Sequence, residues 1–436
     1  MTETVDVIGG GLAGCEAALQ ISRRGIAVNL FECKPGIKSP AHVSDSLCEL
    51  VCSNSLKSND VTSACGLLKE ELRALKSAVI ECADACAIPS GGALAVDREK
   101  FSAAVTNAIE SYKNITVRRG LVTDFDPGKI TVIATGPLTV GLLNDKIAEL
   151  TGGLLHFYDA AAPIVSAESI DTDFAFAADR YGKGGGEGDY LNCPLSEDEY
   201  VRFVEELTAA ERVILRDFEG ADVFEGCMPV EVMAARGRDT LRFGPLKPVG
   251  LTDPKTGKRP YAVVQLRKEN AEGTMYNLVG FQTNLKFGEQ RRVFSMIPAL
   301  KNAEFLRFGV MHRNSFIDAP KALNADFSLK KFPNVFIAGQ LSGVEGYAES
   351  IAAGLAAGIN AARRTKGGQA VVFPPQSMLG ALSRYLAAPN PNFQPMSANF
   401  GLLPPLDANI RDKREKKRLY GVRALQFVCI EAQNIV

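Results

Sequence analysis

The sequence has 436 residues, 46% hydrophobic and 23% charged, with a formal net charge of −1, which is enough chain for two or three domains around a large core. Ten cysteines without a CxxC pair or Cys/His ligand spacing fall far below disulfide-scaffold density, so free thiols and no structural metal are expected. No apolar stretch reaches the eighteen or so residues of a membrane helix, and no basic region or cleavage site marks a signal peptide, so a cytosolic protein without membrane attachment is expected.

In chain order, Val5-Asp-Val-Ile8 reads as a buried strand, Gly9 to Gly14 as a tight turn, Cys15 to Ser22 as a helix ending near Gly25, and Ala27 to Glu32 as a second strand. This opens a parallel βαβ unit. Further strands are expected at Ile115 to Arg118, Ile130 to Ala134 and Asn334 to Ala338, the last leading into a small-residue helix from Glu349 to about Arg363. Between them the texture changes. Alternating segments at Tyr261 to Arg267 and Tyr276 to Gly280 suggest antiparallel strands, so residues 156–324 are expected to form an inserted domain, with 1–155 and 325–436 making up a discontinuous nucleotide-binding domain. Gly182 to Gly188 follows no strand and opens no helix, and reads as a mobile loop rather than a phosphate cradle. After Gly367, proline-rich stretches flank what read as short helical segments.

The spacing Gly9-x-Gly11-x-x-Gly14 lies between a strand and a helix, the context in which it carries meaning. Gly9 permits the turn, Gly11 lets a pyrophosphate approach the backbone, Gly14 allows close helix–strand packing, and the helix N-terminus attracts negative charge. With Gly10, Leu12 and Ala13 completing the loop and Glu32 placed to accept from a ribose, a dinucleotide is expected here. Ala134-Thr-Gly136 and Phe336-Ile-Ala-Gly339-Gln340 each close a later strand and resemble the flavin-contacting segments of the glutathione-reductase-like superfamily. That likeness implies an α/β Rossmann-type FAD-binding domain carrying a mixed α+β insertion. No second such glycine motif follows a strand, so a nicotinamide reductant should meet the flavin transiently.

Two segments are rich in reactive groups. Ala41 to Lys57 contains His42, Cys52, Ser53 and Asn54; Glu225-Gly-Cys-Met-Pro-Val-Glu231 holds Cys227 in a constrained turn. Together with Gly9-Gly-Gly-Leu-Ala-Gly-Cys-Glu-Ala17, Glu49-Leu-Val-Cys-Ser-Asn-Ser-Leu56, Asp189-Tyr-Leu-Asn-Cys-Pro194 and Gly343-Val-Glu-Gly-Tyr-Ala-Glu-Ser350, these blocks resemble the FAD- and folate-dependent tRNA (uracil-5-)-methyltransferases, TrmFO, over nearly the whole chain. The glycine-rich loop looks longer than the family's, and Val43-Ser44 replaces a more polar pair.

The resemblance implies transfer of a one-carbon unit from methylenetetrahydrofolate to C5 of a T-loop uridine, with NAD(P)H as reductant through FAD. C5 of uracil is a poor nucleophile until a thiolate adds to C6, a role matched by Cys227. A base must then take the C5 proton, a role matched by Cys52; the two could be interchanged. Nearby cations or the flavin are expected to lower such a thiol's pKa. Tyr347 matches a tyrosine that could stack on flavin or folate, or simply pack at a helix start. The flavin serves as carrier of the folate carbon and as hydride donor.

For RNA, the residues from Lys301 onward carry 17 basic and 9 acidic side chains, a net of +8, with the densest cluster at Arg411 to Arg418. That cluster reads either as a phosphate contact or as a solvated helix face. Arg236, Arg238 and Arg242 near Cys227 are further candidates. Alternatives of the same fold are methylation of a ribosomal RNA uridine and the related wobble-uridine-modifying flavoprotein, whose long helical C-terminal extension is missing here. A plain NAD(P)H-dependent flavin oxidoreductase would want a redox cysteine pair and a second nucleotide motif, and a non-catalytic RNA-binding flavoprotein would leave both cysteines idle. No obligate protein partner is expected.

Overall fold

Val5–Ile8 is the central strand of a five-stranded parallel sheet, in the order 335–337, 131–133, 5–8, 28–32, 115–119. The computed structural model describes residues 4–39, 41–139, 141–182, 188–213, 228–407 and 410–435. Val5, Val7 and Ile8 are buried, as a central strand of a sheet covered on both faces requires. Parallel neighbours need a crossover, supplied by the helix Leu12–Arg23 between Val5–Ile8 and Val28–Glu32.

Small residues determine how closely the helices over this sheet approach. The helix Tyr347–Thr365 crosses Leu12–Arg23 at Gly354 and Gly358, where a Cβ would lie 2.2 Å from the Ala13 carbonyl oxygen and 2.8 Å from the Ala17 Cα. Buried Glu16 accepts from Ser77 Oγ at 2.8 Å and Val79 N at 2.9 Å, tying the first helix to the N-terminus of the helix Ala78–Ala85.

A six-stranded antiparallel sheet, in the order 176–177, 190–195, 262–268, 275–278, 164–166, 305–307, builds a second core around Tyr200, Phe203, Phe281 and Phe294. Its helix Glu197–Ala209 begins with a capping box between Ser196 and Glu199. The chain passes between the two sheets along an antiparallel ladder, Leu154–Ala160 paired with Met311–Ile317. Polar bonds join the units as well: Asp97 Oδ2 accepts from Ala271 N at 2.9 Å, and Arg98 pairs with Glu269 at 2.8 Å.

The C-terminal region departs from the expected short segments. Lys413–Ile435 is one 23-residue helix. Tyr420, Ala424 and Val428, four apart, bury one stripe of it, and Arg418 pairs with Glu415 at 2.7 Å on the exposed side. No described helix is long and apolar enough to cross a membrane, and no metal-holding group of His, Cys, Asp or Glu occurs among the described residues.

Candidate active site

A cleft opens at the C-terminal edge of the parallel sheet, lined by Gly9 to Ala13, Glu32, Gly136, Gly339, Gln340, Cys52, Asp159 and Tyr347 among others. The glycine loop fixes its floor. Gly9 has φ +108° and a Cβ there would stand 2.4 Å from the Ala134 carbonyl oxygen; a Cβ on Gly14 would stand 1.8 Å from Gly9 O. Gly11 and Gly136 behave differently, because a Cβ on either meets nothing within 4 Å. Backbone is therefore presented bare to the cleft at the N-terminus of Leu12–Arg23, where the cap residue Gly11 offers no side-chain bond.

Glu32 Oε2 accepts from Gly10 N at 2.9 Å and Oε1 from Lys34 N at 2.9 Å, so this carboxylate shapes the loop while lining the cleft. Gly339, at φ +72°, brings its strand end against Ala13, and Gln340 Nε2 donates to Glu345 Oε2 at 2.6 Å. These residues fit a dinucleotide: an open helix N-terminus, two glycines facing space, and a carboxylate at the end of the second strand.

Cys52 sits in the same cleft, held from two sides. The Tyr347 hydroxyl accepts from Cys52 N at 2.8 Å and Ser53 N at 3.2 Å, so this tyrosine anchors the backbone that carries the thiol. Cys52 Sγ lies 3.6 Å from Asp159 Oδ2 on the ladder strand Leu154–Ala160. Burial, then the negative charges of Asp159 and Glu345, push the Cys52 thiol well above its ordinary pKa, which Arg307 offsets only in part. The expectation of a lowered pKa thus meets the opposite arrangement in the protein chain itself: a carboxylate lies 3.6 Å from the sulfur, and burial disfavours the thiolate.

Further charged groups surround this thiol. Arg98, at the start of the helix Arg98–Ser111, bonds the Leu50 carbonyl and donates to Glu269 through Nε at 3.0 Å, linking the segment before Cys52 to the residue that follows the second-sheet strand Ala262–Lys268. Arg267 donates through Nη2 to Ser53 Oγ at 2.8 Å and through Nε to Asn54 Oδ1 at 2.9 Å. Lys34 and Glu49 form a buried pair at 3.1 Å, and Glu49 Oε1 also accepts from Val43 N at 2.8 Å. Glu345, buried and close to Asp159, is raised to about 8. His42 lines the cleft with Nδ1 2.7 Å from Ser39 Oγ, and burial lowers its pKa.

Cys227 lies outside the described residues, as do Lys183 to Glu187 of the glycine-rich stretch. The chain on either side of the Cys227 segment docks on one strip: Val213 N donates to Asn284 O at 2.9 Å, and Val230 N to Gln282 O at 2.7 Å. Of the cationic candidates, Arg242 lies 3.6 Å over the Tyr261 ring, exposed Arg238 is 3.6 Å from Glu197, and Lys417 lies 5.8 Å over Phe400. The sequence reasoning missed Asp159, Arg98, Arg267 and Arg307. Asp159 and Arg307 sit in strands without a motif, and an acid inside the apolar run Leu154–Ala160 was the one local signal available.

The family model described as Glucose inhibited division protein A matches residues 4–369. Curated proteins named Methylenetetrahydrofolate--tRNA-(uracil-5-)-methyltransferase TrmFO are 56% identical over 98% of this chain and 98% of theirs in Acetivibrio thermocellus, and 55% over 100% and 99% in Halalkalibacterium halodurans. The protein of that name in Desulfitobacterium hafniense is 57% identical over 97% of this chain and 96% of its own. Among solved structures, Aquifex aeolicus GidA in its form II crystal has a TM-score of 0.70 at 17% identity, covering 100% of this chain and 75% of that one, a likeness of fold.

Proposed function

The chain belongs to the glucose inhibited division protein A family and, within it, with the TrmFO proteins, and from that premise we propose that it methylates C5 of a tRNA uridine using methylenetetrahydrofolate, FAD and NAD(P)H. Full-length identity of 54–57% to curated proteins bearing that activity in their name is the observation that carries the reading. The cytoplasm, where tRNA and reduced folate meet, is its proposed location.

The cleft would hold FAD on the Gly9–Gly14 loop, with Glu32 at the ribose and Gly136, Gly339 and Gln340 along the remaining wall. Bound there and reduced by NAD(P)H, the flavin supplies the carrier for the folate carbon and the hydride that completes the methyl group. The chain's own residues do the rest. Cys227 adds as thiolate to uracil C6, pushing the electron pair of the C5–C6 double bond toward C5, which then bonds to the one-carbon unit. Cys52 takes the C5 proton; the electrons of that C–H bond would release the one-carbon unit from its carrier as a methylene on C5, and hydride delivered to that methylene would re-form the C5–C6 double bond and expel the Cys227 sulfur.

A raised pKa leaves Cys52 protonated near neutral pH and so argues against it as first nucleophile, and it makes the thiolate, once formed, a strong base. Asp159, 3.6 Å away, is positioned to receive the proton from the thiol afterwards. Tyr347 fixes the thiol's position by accepting two backbone bonds, and Arg98 and Arg267 hold the same segment from the other side. The test is 5-methyluridine formation by the purified protein with methylenetetrahydrofolate, NAD(P)H and either a tRNA or a ribosomal RNA transcript. Product at a tRNA uridine supports the reading, product on ribosomal RNA alone changes the substrate, and flavin reduction without product leaves an oxidoreductase.

A further inference from the structure

Three aromatic rings run from the second core to the surface in one parallel stack. Phe305, 9% exposed, lies 5.4 Å from Phe308 with 8° between ring planes, and Phe308 lies 4.9 Å from Phe287 with 13° between planes. Phe287 ends the series and is 53% exposed. Burying such a ring would have been favourable, and the stack stops one ring short of closure.

Its location is informative. Phe308 precedes Gly309, where a Cβ would stand 2.6 Å from the Ala161 carbonyl, and Ala161 is two residues from the Asp159 that meets Cys52. Arg307, on the other side, donates to the Ala41 carbonyl at 3.2 Å on the cleft-lining segment. Phe287 also follows directly on the strip 282–286 where the chain enters and leaves the Cys227 segment. The exposed ring therefore adjoins the strip that anchors Val213 and Val230, and its stacking partner Phe308 adjoins in sequence the Arg307 that reaches the cleft-lining segment.

Beside it, Arg291 lies 5.7 Å over the Phe308 ring, is exposed, and has no acidic partner among the described residues; Lys286 and Arg292 are paired with Glu211 and with Glu206 and Glu289. A half-exposed aromatic ring with a guanidinium free of carboxylate partners at its side matches an unpaired nucleobase and its phosphate.

We propose that Phe287 is a stacking platform for an unpaired base of the RNA substrate, with Arg291 beside it contacting the backbone. This rests on the RNA-methylating reading and adds a contact residue to it. A base splayed from its neighbours gains stacking on Phe287 while the target uridine enters the cleft.

The test is fluorescence anisotropy of a labelled, unmodified tRNA transcript with the full-length flavoprotein and its variants. Phe287→Ala and Phe287→Leu should each weaken binding about five- to a hundredfold, the range for losing one stacked base, while Phe287→Tyr binds as the unmutated protein does. The slope of log affinity against log salt should be unchanged in these variants and shallower in Arg291→Gln. Flavin content and KM for methylenetetrahydrofolate should stay the same. Affinity within twofold in both Phe287→Ala and Phe287→Leu, or a rise confined to the folate KM, would overturn the proposal. An unmutated protein that binds this RNA but never methylates it would instead sink the functional reading, because the binding measurement does not depend on turnover.

Discussion

Replacing Asp159 by Asn should make Cys52 more reactive and the enzyme slower. Two full charges 3.6 Å apart, the Cys52 Sγ to Asp159 Oδ2 separation, interact by at most about 4–5 kcal/mol at an effective dielectric near 20. Even about a quarter of that changes the thiolate population roughly tenfold at fixed pH. A less basic thiolate is also a weaker nucleophile, which cancels about half of the gain on a logarithmic scale. The net expectation is alkylation of Cys52 by iodoacetamide about three- to thirtyfold faster near neutral pH. Peptide mass mapping separates Cys52 from the other cysteines, and the pH profile of labelling should move to lower pH. Methylation should fall in the same variant, since the thiol loses its proton-accepting neighbour and becomes a weaker base. Alkylation of Cys52 unchanged or slowed in Asp159→Asn would refute the claim that this carboxylate, beside burial, suppresses the thiolate.

Tyr347→Phe removes the acceptor shared by Cys52 N and Ser53 N and should cost about 1–3 kcal/mol in thermal or urea unfolding, with flavin retained and methylation reduced; unfolding identical to the unmutated protein would contradict the anchoring role. The two inner glycines should separate flavin binding from folding. Gly11→Ala faces open space and should fold with reduced flavin content, whereas Gly14→Ala, with its Cβ 1.8 Å from Gly9 O, should lose both, as circular dichroism and flavin absorbance would report. Glu71 is a structural case: it accepts from Met378 N and Leu379 N at 2.6 and 2.9 Å, and burial raises it from 4.5 to about 8. Between those values the folded protein holds a proton that the unfolded chain has released, so this group's contribution falls as pH rises through about 8. The destabilisation in Glu71→Ala should therefore be larger near about pH 5.5 than near about pH 8.5, and a penalty growing with pH would contradict the assignment.

The flavin half of the molecule was legible because its signals are local. A strand, three glycines at fixed offsets and an acid at the next strand end lie within Val5 to Glu32, and the backbone demands at Gly9 and Gly14 are met by nothing larger. Alternation along 261–267 likewise gave an antiparallel strand, seen as Ala262–Lys268. Surroundings of Cys52 were not legible. Asp159, Arg267 and Arg307 come from strands more than a hundred residues away, and only the ladder and the second sheet bring them to the thiol. A pKa set by such neighbours has no signature in the segment Glu49 to Leu56. Tyr347 was visible as part of a glycine-flanked block, but its hydroxyl's two backbone partners depend on how the 50–54 segment folds back over the helix start. The C-terminal helix is hard to see in the sequence because its charged face gives little amphipathic contrast, and its length becomes clear from its packing on the helix Ala64–Ala74.

The most direct test follows the carbon. The purified flavoprotein would be given NAD(P)H, an unmodified tRNA transcript, methylenetetrahydrofolate deuterated at the methylene, and unlabelled S-adenosylmethionine, and the RNA digested to nucleosides for mass spectrometry. 5-Methyluridine carrying both methylene deuteriums is the predicted result. Unlabelled 5-methyluridine, or none despite flavin reduction, would contradict the assignment of this chain as a folate- and flavin-dependent uridine methyltransferase.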